Sequence, residues 1–226
     1  MHIDKYLNVK KLDALLAHVR AQKGDFLRDA EIKNRELTLL ARAKDIRALL
    51  IFLRDDRACQ FKMLMDVCGA DYPEREARFD VVYHLLSLTH NVRVRVKIQV
   101  AEGQSVPSVS DVFACANWYE RETYDMFGIP FENHPDLRRI LTDYDFDGFP
   151  LRKDFPVEGK VEMFYDAEQK RCVYRPTDLK QSYRHFEWTS PWEGMDDPYA
   201  LAAEDNTFSR DDFGLEKSAK KSGELK

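Results

Sequence analysis

The chain predicts an α+β fold: a mixed, largely antiparallel sheet with packed helices, followed by an extended irregular C-terminal arm. Three observations carry this. Leu12, Leu15, Leu16, Val19 and again Ile46, Leu49, Leu50, Leu53 repeat at helical spacing. Val92, Val94, Val96, Ile98 and Val100 alternate with Arg93, Arg95, Lys97 and Gln99, the period of a strand with one buried face. Thr89, His90 and Asn91 alone separate that strand from a second one at Phe79 to Leu88, so the two pair antiparallel; a parallel pair needs a crossover of about a dozen residues.

The remaining elements follow in order. The first helix faces Lys10, Lys11 and Arg20 outward from its leucine stripe. After Gly24, strands are expected at Phe26 to Ile32 and Glu36 to Ala41, joined by a polar turn at Lys33 and Asn34. Asp45 to Asp55 forms the second helix, lying on the sheet, and Phe61 to Cys68 a further strand. Arg93, Arg95 and Lys97 make a basic stripe, read as a solvated sheet face or as a contact for an acidic partner. A third helix is expected from near Ser110, which can cap it, with Asp111 set against the positive end of its dipole; it ends before Gly128, and Pro130 forbids continuation.

Beyond Gly128 periodicity stops, and Pro130, Pro135, Pro150 and Pro156 fall within 27 residues. Composition there is not that of a flexible linker. Phe131, Leu137, Ile140, Leu141, Tyr144, Phe146, Phe149, Leu151 and Phe155 are interleaved with six acids, Glu132, Asp136, Asp143, Asp145, Asp147 and Asp154, and four bases, Arg138, Arg139, Arg152 and Lys153. Charges at that density are buried only when paired, so the expectation is an arm whose groups are satisfied partly by another protein. Val157 to Pro198 continues it with Tyr165, Tyr174, Tyr183, Phe186, Trp188 and Trp192, and Asp205 to Lys226 is polar and expected to fray. The organisation expected is a core domain at 1–128, a partner-binding arm at 129–198 and a polar tail at 199–226.

Composition excludes several function classes. At 226 residues, 44% hydrophobic and 33% charged, the chain has enough apolar surface for a core and is not a disordered type. A net charge of -5 speaks against a nucleic-acid-binding body. The longest apolar run, Ala48 to Leu53, is six residues, far below a membrane span. The start, with Lys5, Lys10, Lys11 and Asp4, resembles neither a secretory signal nor a transit peptide, which favours a chain that stays where it is made. Cys59, Cys68, Cys115 and Cys172 contain no CxxC pair, against a disulfide framework, a zinc finger or an iron–sulfur cluster held by this chain alone. No GxGxxG, GxxxxGK[ST], GxSxG or HExxH occurs.

The nearest thing to acid–base chemistry is Glu120, Glu122 and Asp125 on the third helix. Glu122 and Asp125 share a face and Arg121 can reach Asp125, while Glu120 points about 200° from Glu122, so the three cannot form one site. Such helix charges are more often structural networks than general acid–base pairs. His134 has no second ligand nearby in sequence, and a hydrogen bond pinning the turn at Pro135 is the expectation rather than a metal. Arg138 and Arg139 read either as partners of the arm's own aspartates or as bidentate contacts to a partner's carboxylates.

Three strings carry a resemblance. Glu120-Arg121-Glu122-Thr123-Tyr124-Asp125-Met126-Phe127-Gly128-Ile129, His134-Pro135-Asp136-Leu137-Arg138-Arg139-Ile140-Leu141-Thr142-Asp143-Tyr144 and Pro150-Leu151-Arg152-Lys153-Asp154-Phe155-Pro156 closely resemble the signature of the C-subunit family of respiratory complex I, NADH-quinone oxidoreductase. Asp66 to Pro73, the hairpin from Phe79 to Val96, and Ser190-Pro191-Trp192-Glu193 agree, so the likeness spans about residues 10 to 195. It implies a peripheral-arm subunit with no catalytic residue, flavin or iron–sulfur cluster of its own, bound to the quinone-site subunit and near the iron–sulfur subunits. FMN, the clusters and quinone then belong to partner subunits, and the chain sits at the cytoplasmic face of the bacterial inner membrane, or the matrix face if organelle-encoded. Glu120, Arg121, Glu122, Asp125, His134, Asp136, Arg138, Arg139, Asp143, Arg152, Lys153 and Asp154 are the family-signature and partner-interface candidates. Two positions depart: Asp145 stands where the family usually has glycine, so a positive-φ turn is expected there, and Phe149 where it commonly has histidine. Alternatives are the equivalent subunit of a membrane-bound hydrogenase or other quinone-reducing complex, an acid–base enzyme using Glu122 and Asp125, and a free-standing binding module.

Overall fold

The computed structural model describes the backbone of residues 3–181 and the side chains of residues 10–181. Helix α1 (Ile3–Lys23) leads into strands β1 (Leu27–Lys33) and β2 (Glu36–Ala41), then helix α2 (Ile46–Asp55). Strands β3 (Met63–Asp71), β4 (Phe79–Ser87) and β5 (Val92–Val100) follow. Together they make a five-stranded sheet in the order β1-β2-β5-β4-β3. Every neighbouring pair is antiparallel except β2 with β5, which run parallel because α2, β3 and β4 intervene as the crossover. Residues 3–177 form one compact unit.

Burial explains the periodicities. Ile46, Leu49, Leu50 and Leu53 of α2 are all 0% exposed, each contributing about 1.5–3 kcal/mol of apolar burial. On β5 the valines and Ile98 are buried while Arg93 is exposed and Arg95 and Lys97 half-buried. The basic stripe is a solvated sheet face with its own acids: Arg95 donates to Glu36 at 2.6 Å, and Lys97 lies 3.9 Å from Asp80.

Three expectations need correction. The strand expected from Phe61 begins at Met63, because Asp56 to Phe61 closes the end of α2: the N–H groups of Cys59 and Gln60 bond the Asp56 carbonyl, and that of Phe61 bonds Leu53. Helix α3 spans Ala116–Phe127 and is not capped by Ser110. Val109, Val112 and Phe113 plug the core as a turn instead, the Ser110 N–H is bound to the Ser108 hydroxyl at 3.2 Å, and Asp111 pairs with Arg47. Nor does regular structure end at Gly128. Strands β6 (Val106–Pro107) and β7 (Phe131–Glu132) pair parallel, and β8 (Val161–Asp166) and β9 (Arg171–Pro176) form an antiparallel hairpin across the polar turn at 167–170. The expectations for Tyr183, Phe186, Trp188, Trp192, Ser190 to Glu193 and the 199–226 tail lie outside the described residues. No helix among the described residues is long and apolar enough to cross a membrane.

Candidate functional site

Helix α3 lies on β3, where the Thr123 hydroxyl donates to the Val67 carbonyl at 3.3 Å and a methyl added at Gly69 would overlap the Phe127 ring. Its end is set by Gly128 at φ 73, a left-handed C-cap whose N–H bonds the Tyr124 carbonyl. A Cβ there would sit 2.6 Å from the Phe149 ring, so Phe149 packs directly on the cap. The positive-φ turn expected at Asp145 does not form there and is corrected: Asp145 is not among the positive-φ residues, and Gly148, at φ 112, makes the left-handed turn.

The buried Asp125 organises the segment that follows. Its Oδ2 accepts the N–H groups of Ile140, Leu141 and Thr142 at 3.0, 2.7 and 2.9 Å, and its Oδ1 takes Arg139 at 2.7 Å and the Thr142 hydroxyl at 2.5 Å. Burial pushes this carboxyl up, but the Thr142 hydroxyl and N–H, Arg139 and Leu141 outweigh it and hold it at about 2. Arg139 also donates to the carbonyls of Phe146 and Gly148 at 2.9 and 3.1 Å, so one ion pair shapes the whole turn. Arg121, expected to reach Asp125, donates instead to the carbonyls of Arg138 and Arg139, because the loop covers that face and fills both carboxylate oxygens.

Glu120 is buried on the opposite side of α3 and accepts the Ser108 hydroxyl at 2.6 Å and the Val109 N–H at 2.7 Å. Burial dominates these bonds and pushes it up to about 7. Burial and then the Glu120 charge push up the Tyr83 hydroxyl, which has no hydrogen-bond partner among the described residues. His134 is enclosed 3.9 Å from Glu120: its Nε2 donates to the Asn117 carbonyl and its Nδ1 accepts the Asp136 N–H, both at 3.0 Å. Both ring nitrogens serve to pin the turn, as expected of it.

A second network, legible in sequence only as the string ending Asp71-Tyr72-Pro73, joins β3 to the arm. Arg78 grips the enclosed Asp71 bidentately at 2.7 and 2.8 Å and lies 3.0 Å from Asp154, while the Lys153 N–H donates to Asp71 at 2.7 Å. Arg152 lies between Phe79 and Phe149, its carbon centre 5.1 and 4.5 Å from their ring centroids, and donates to the Phe127 carbonyl. The arm's charges are therefore satisfied largely by this chain itself, which narrows the expectation of an arm satisfied partly by another protein to its apolar groups.

The candidate residues thus divide. Glu120, Arg121, Asp125, His134, Arg139 and Arg152 turn inward, whereas Glu122, Asp136, Arg138, Asp143, Lys153 and Asp154 are exposed. Arg138 pairs with the arm's own Asp136 at 2.8 Å, and Arg139 with the helix aspartate rather than one of the arm's. Glu122 and Asp125 do not form an acid–base pair, since one is exposed and the other has both oxygens filled. What the arm leaves outside is apolar. Pairing of Val161 with Pro176, Met163 with Tyr174 and Tyr165 with Cys172 puts these side chains on one face of the β8–β9 hairpin, and Val161, Met163, Tyr165 and Tyr174 are 54–63% exposed.

The chain is 54% identical over 199 residues to the NADH-quinone oxidoreductase C 1 subunit of Rhizobium meliloti, covering 88% of this chain and 98% of that one. It is 59% identical over 172 residues to the NADH-quinone oxidoreductase C subunit of Methylobacterium radiotolerans, covering 76% and 79%. In fold it resembles a chain of the membrane-bound sulfane sulfur reductase, an archaeal respiratory membrane complex, with a TM-score of 0.56 at 23% identity over 64% of this chain and 85% of that one. Residues 39–161 match the family described as respiratory-chain NADH dehydrogenase, 30 Kd subunit, and the chain belongs to that family.

Proposed function

We propose that the chain works as the C subunit of an NADH-quinone oxidoreductase, a structural subunit bracing the quinone-site and iron–sulfur subunits on the cytoplasmic face of a bacterial inner membrane. Electrons pass from NADH through FMN and iron–sulfur clusters of those partners to quinone, with coupled proton translocation, and this chain contributes neither an electron-carrying cofactor nor a catalytic side chain to that transfer. The observation that carries this reading is the outward apolar face of the β8–β9 hairpin. A two-stranded hairpin is marginal in water, and a row of half-exposed Val161, Met163, Tyr165 and Tyr174 lowers its free energy when a partner covers it. Leu141, Tyr144, Leu151 and Val157 of the same arm are exposed as well, while its charges are largely internally paired, leaving the apolar groups as the unmet demand.

The test is affinity purification of the tagged chain from its native membranes in mild detergent, with mass spectrometry and an NADH-to-quinone assay on the eluate. Flavin and iron–sulfur subunits are expected with NADH-dependent quinone reduction, and their recovery is expected to fall sharply with Met163→Glu. Recovery of the wild-type chain alone, or undiminished assembly of Met163→Glu, overturns the bracing role. The same clusters with a nickel subunit or another electron donor move the chain to a sister complex.

A further inference from the structure

Three metal-ligating side chains meet in a place that none of the networks above uses. His18 comes from α1, Asp56 ends α2, and Cys59 lies in the turn that follows. One ligand atom from each, an imidazole nitrogen, a carboxylate oxygen and a thiol sulfur, lies within 4.8 Å of the other two. The fold sets their positions: Asp56 Oδ1 accepts the Ala58 N–H at 2.8 Å, and the His18 ring, 2.9 Å from Asp56, stacks on Phe52 with centroids 6.0 Å apart. Cys59 is buried, and His18 and Asp56 are half-buried. His18 and Cys59 line an open cavity of about 340 Å³ that His90 and Lys11 also line.

We infer that His18, Asp56 and Cys59 form a binding site for a borderline divalent cation of the Zn²⁺ class, with its fourth position open to the cavity. The donor set selects that class: Mg²⁺ and Ca²⁺ take oxygen ligands and reject a thiol, whereas Zn²⁺ accepts sulfur, nitrogen and oxygen together. Three protein ligands and one open position is the arrangement of zinc sites that keep a water or a ligand. Tetrahedral bonds place ligand atoms about 3.4–3.6 Å apart, so the histidine–aspartate pair opens by about half an ångström and the thiol closes in by side-chain rotation. On binding, Cys59 gives its thiol proton to water and forms a sulfur–metal bond, while His18, whose Nε2–H donates to Asp56 in the free site, moves that proton to Nδ1 through water so that the freed Nε2 lone pair binds the metal. Burial, and then Asp56, push the free thiol up to about 12; the cation compensates thiolate and carboxylate at once.

The test uses the full-length chain, stripped of metal and titrated with Co²⁺, then with Zn²⁺. One equivalent of Co²⁺ is expected to give sulfur-to-cobalt charge-transfer absorption in the near ultraviolet, which Zn²⁺ removes by displacement. Cys59→Ser is expected to abolish that absorption, His18→Gln to weaken Co²⁺ binding at least tenfold, and Cys115→Ser and Cys172→Ser to change neither. Absence of the band, its survival in Cys59→Ser, or unaltered affinity in His18→Gln overturns the site. Should Cys59→Ser fail to fold by circular dichroism, His18→Gln, at a half-buried position, decides alone.

Discussion

Replacing Asp125 with asparagine keeps the shape of the side chain and removes its charge, which isolates what the carboxylate does for the turn at 139–148. The fall of its pKa from 3.8 to about 2 corresponds, at roughly 1.4 kcal/mol per pH unit, to about 2.5 kcal/mol of stability at neutral pH. Leaving the half-buried Arg139 without its counter-ion adds to this, giving a total near 3 kcal/mol, or a melting temperature lower by about 6–12 °C for a chain of this length. A carboxyl with a depressed folded pKa contributes fully above its unfolded value and loses that contribution as pH falls through the folded one. The gap between wild type and Asp125→Asn is therefore flat from pH 8 to about 5 and closes between about 4 and 2. Urea unfolding followed by circular dichroism across that range reads it directly. A neutral-pH difference under about 0.5 kcal/mol, or one that widens on acidification, refutes the account of Asp125 as the anchor of the arm.

Glu120 carries the opposite sign. With its pKa raised from 4.5 to about 7, ionisation is penalised in the folded state, so wild-type stability falls by about 3 kcal/mol as pH rises through that window. Glu120→Gln removes the slope, and a wild-type-minus-variant difference that stays constant from pH 4 to 8 in urea midpoints contradicts it. Gly128→Ala combines a left-handed φ of 73 with overlap on Phe149 and is expected to cost about 2–3 kcal/mol in thermal unfolding, an unchanged midpoint being the contrary result. Arg139→Glu places two acids together in a half-buried site and is expected to destabilise the isolated chain by about 3–5 kcal/mol. Arg138→Glu, at an exposed position, leaves that stability essentially unchanged while lowering the amount of assembled complex on a native gel. Equal effects of the two reversals on chain stability count against their separation into an inner and an outer arginine.

Much of the core could be read from local pattern. The bounds of β2 and β5 and the buried face of α2 agree with their periodicities, because burying one side of a strand or helix forces period two or 3.6 on the residues that do it. The arm resisted the same reading. Ser110 lost its role as a cap to a turn that buries Val109, Val112 and Phe113, and the β8–β9 hairpin carries alternation on a face that is not buried within the chain, so its apolar pattern had no core to refer to. At the candidate site one pairing inferred from helical spacing differs from the structure. Arg121 was assigned to Asp125 by helical spacing, yet Asp125 was already taken by residues 139–142 arriving from outside the helix.

Residue order along the chain sufficed for the types of α1, α2 and β1–β5, the antiparallel β4–β5 hairpin, the stop at Gly128 and the family resemblance, since each shows in local residue patterns. The parallel placement of β2 beside β5, the grip of Arg78 on Asp71, the capture of residues 139–142 by Asp125 and the meeting of His18 with Asp56 and Cys59 emerged only in three dimensions. Each joins groups from separate elements or loops, and which donor reaches which buried acceptor depends on how those pieces pack, a property that no local window of sequence contains.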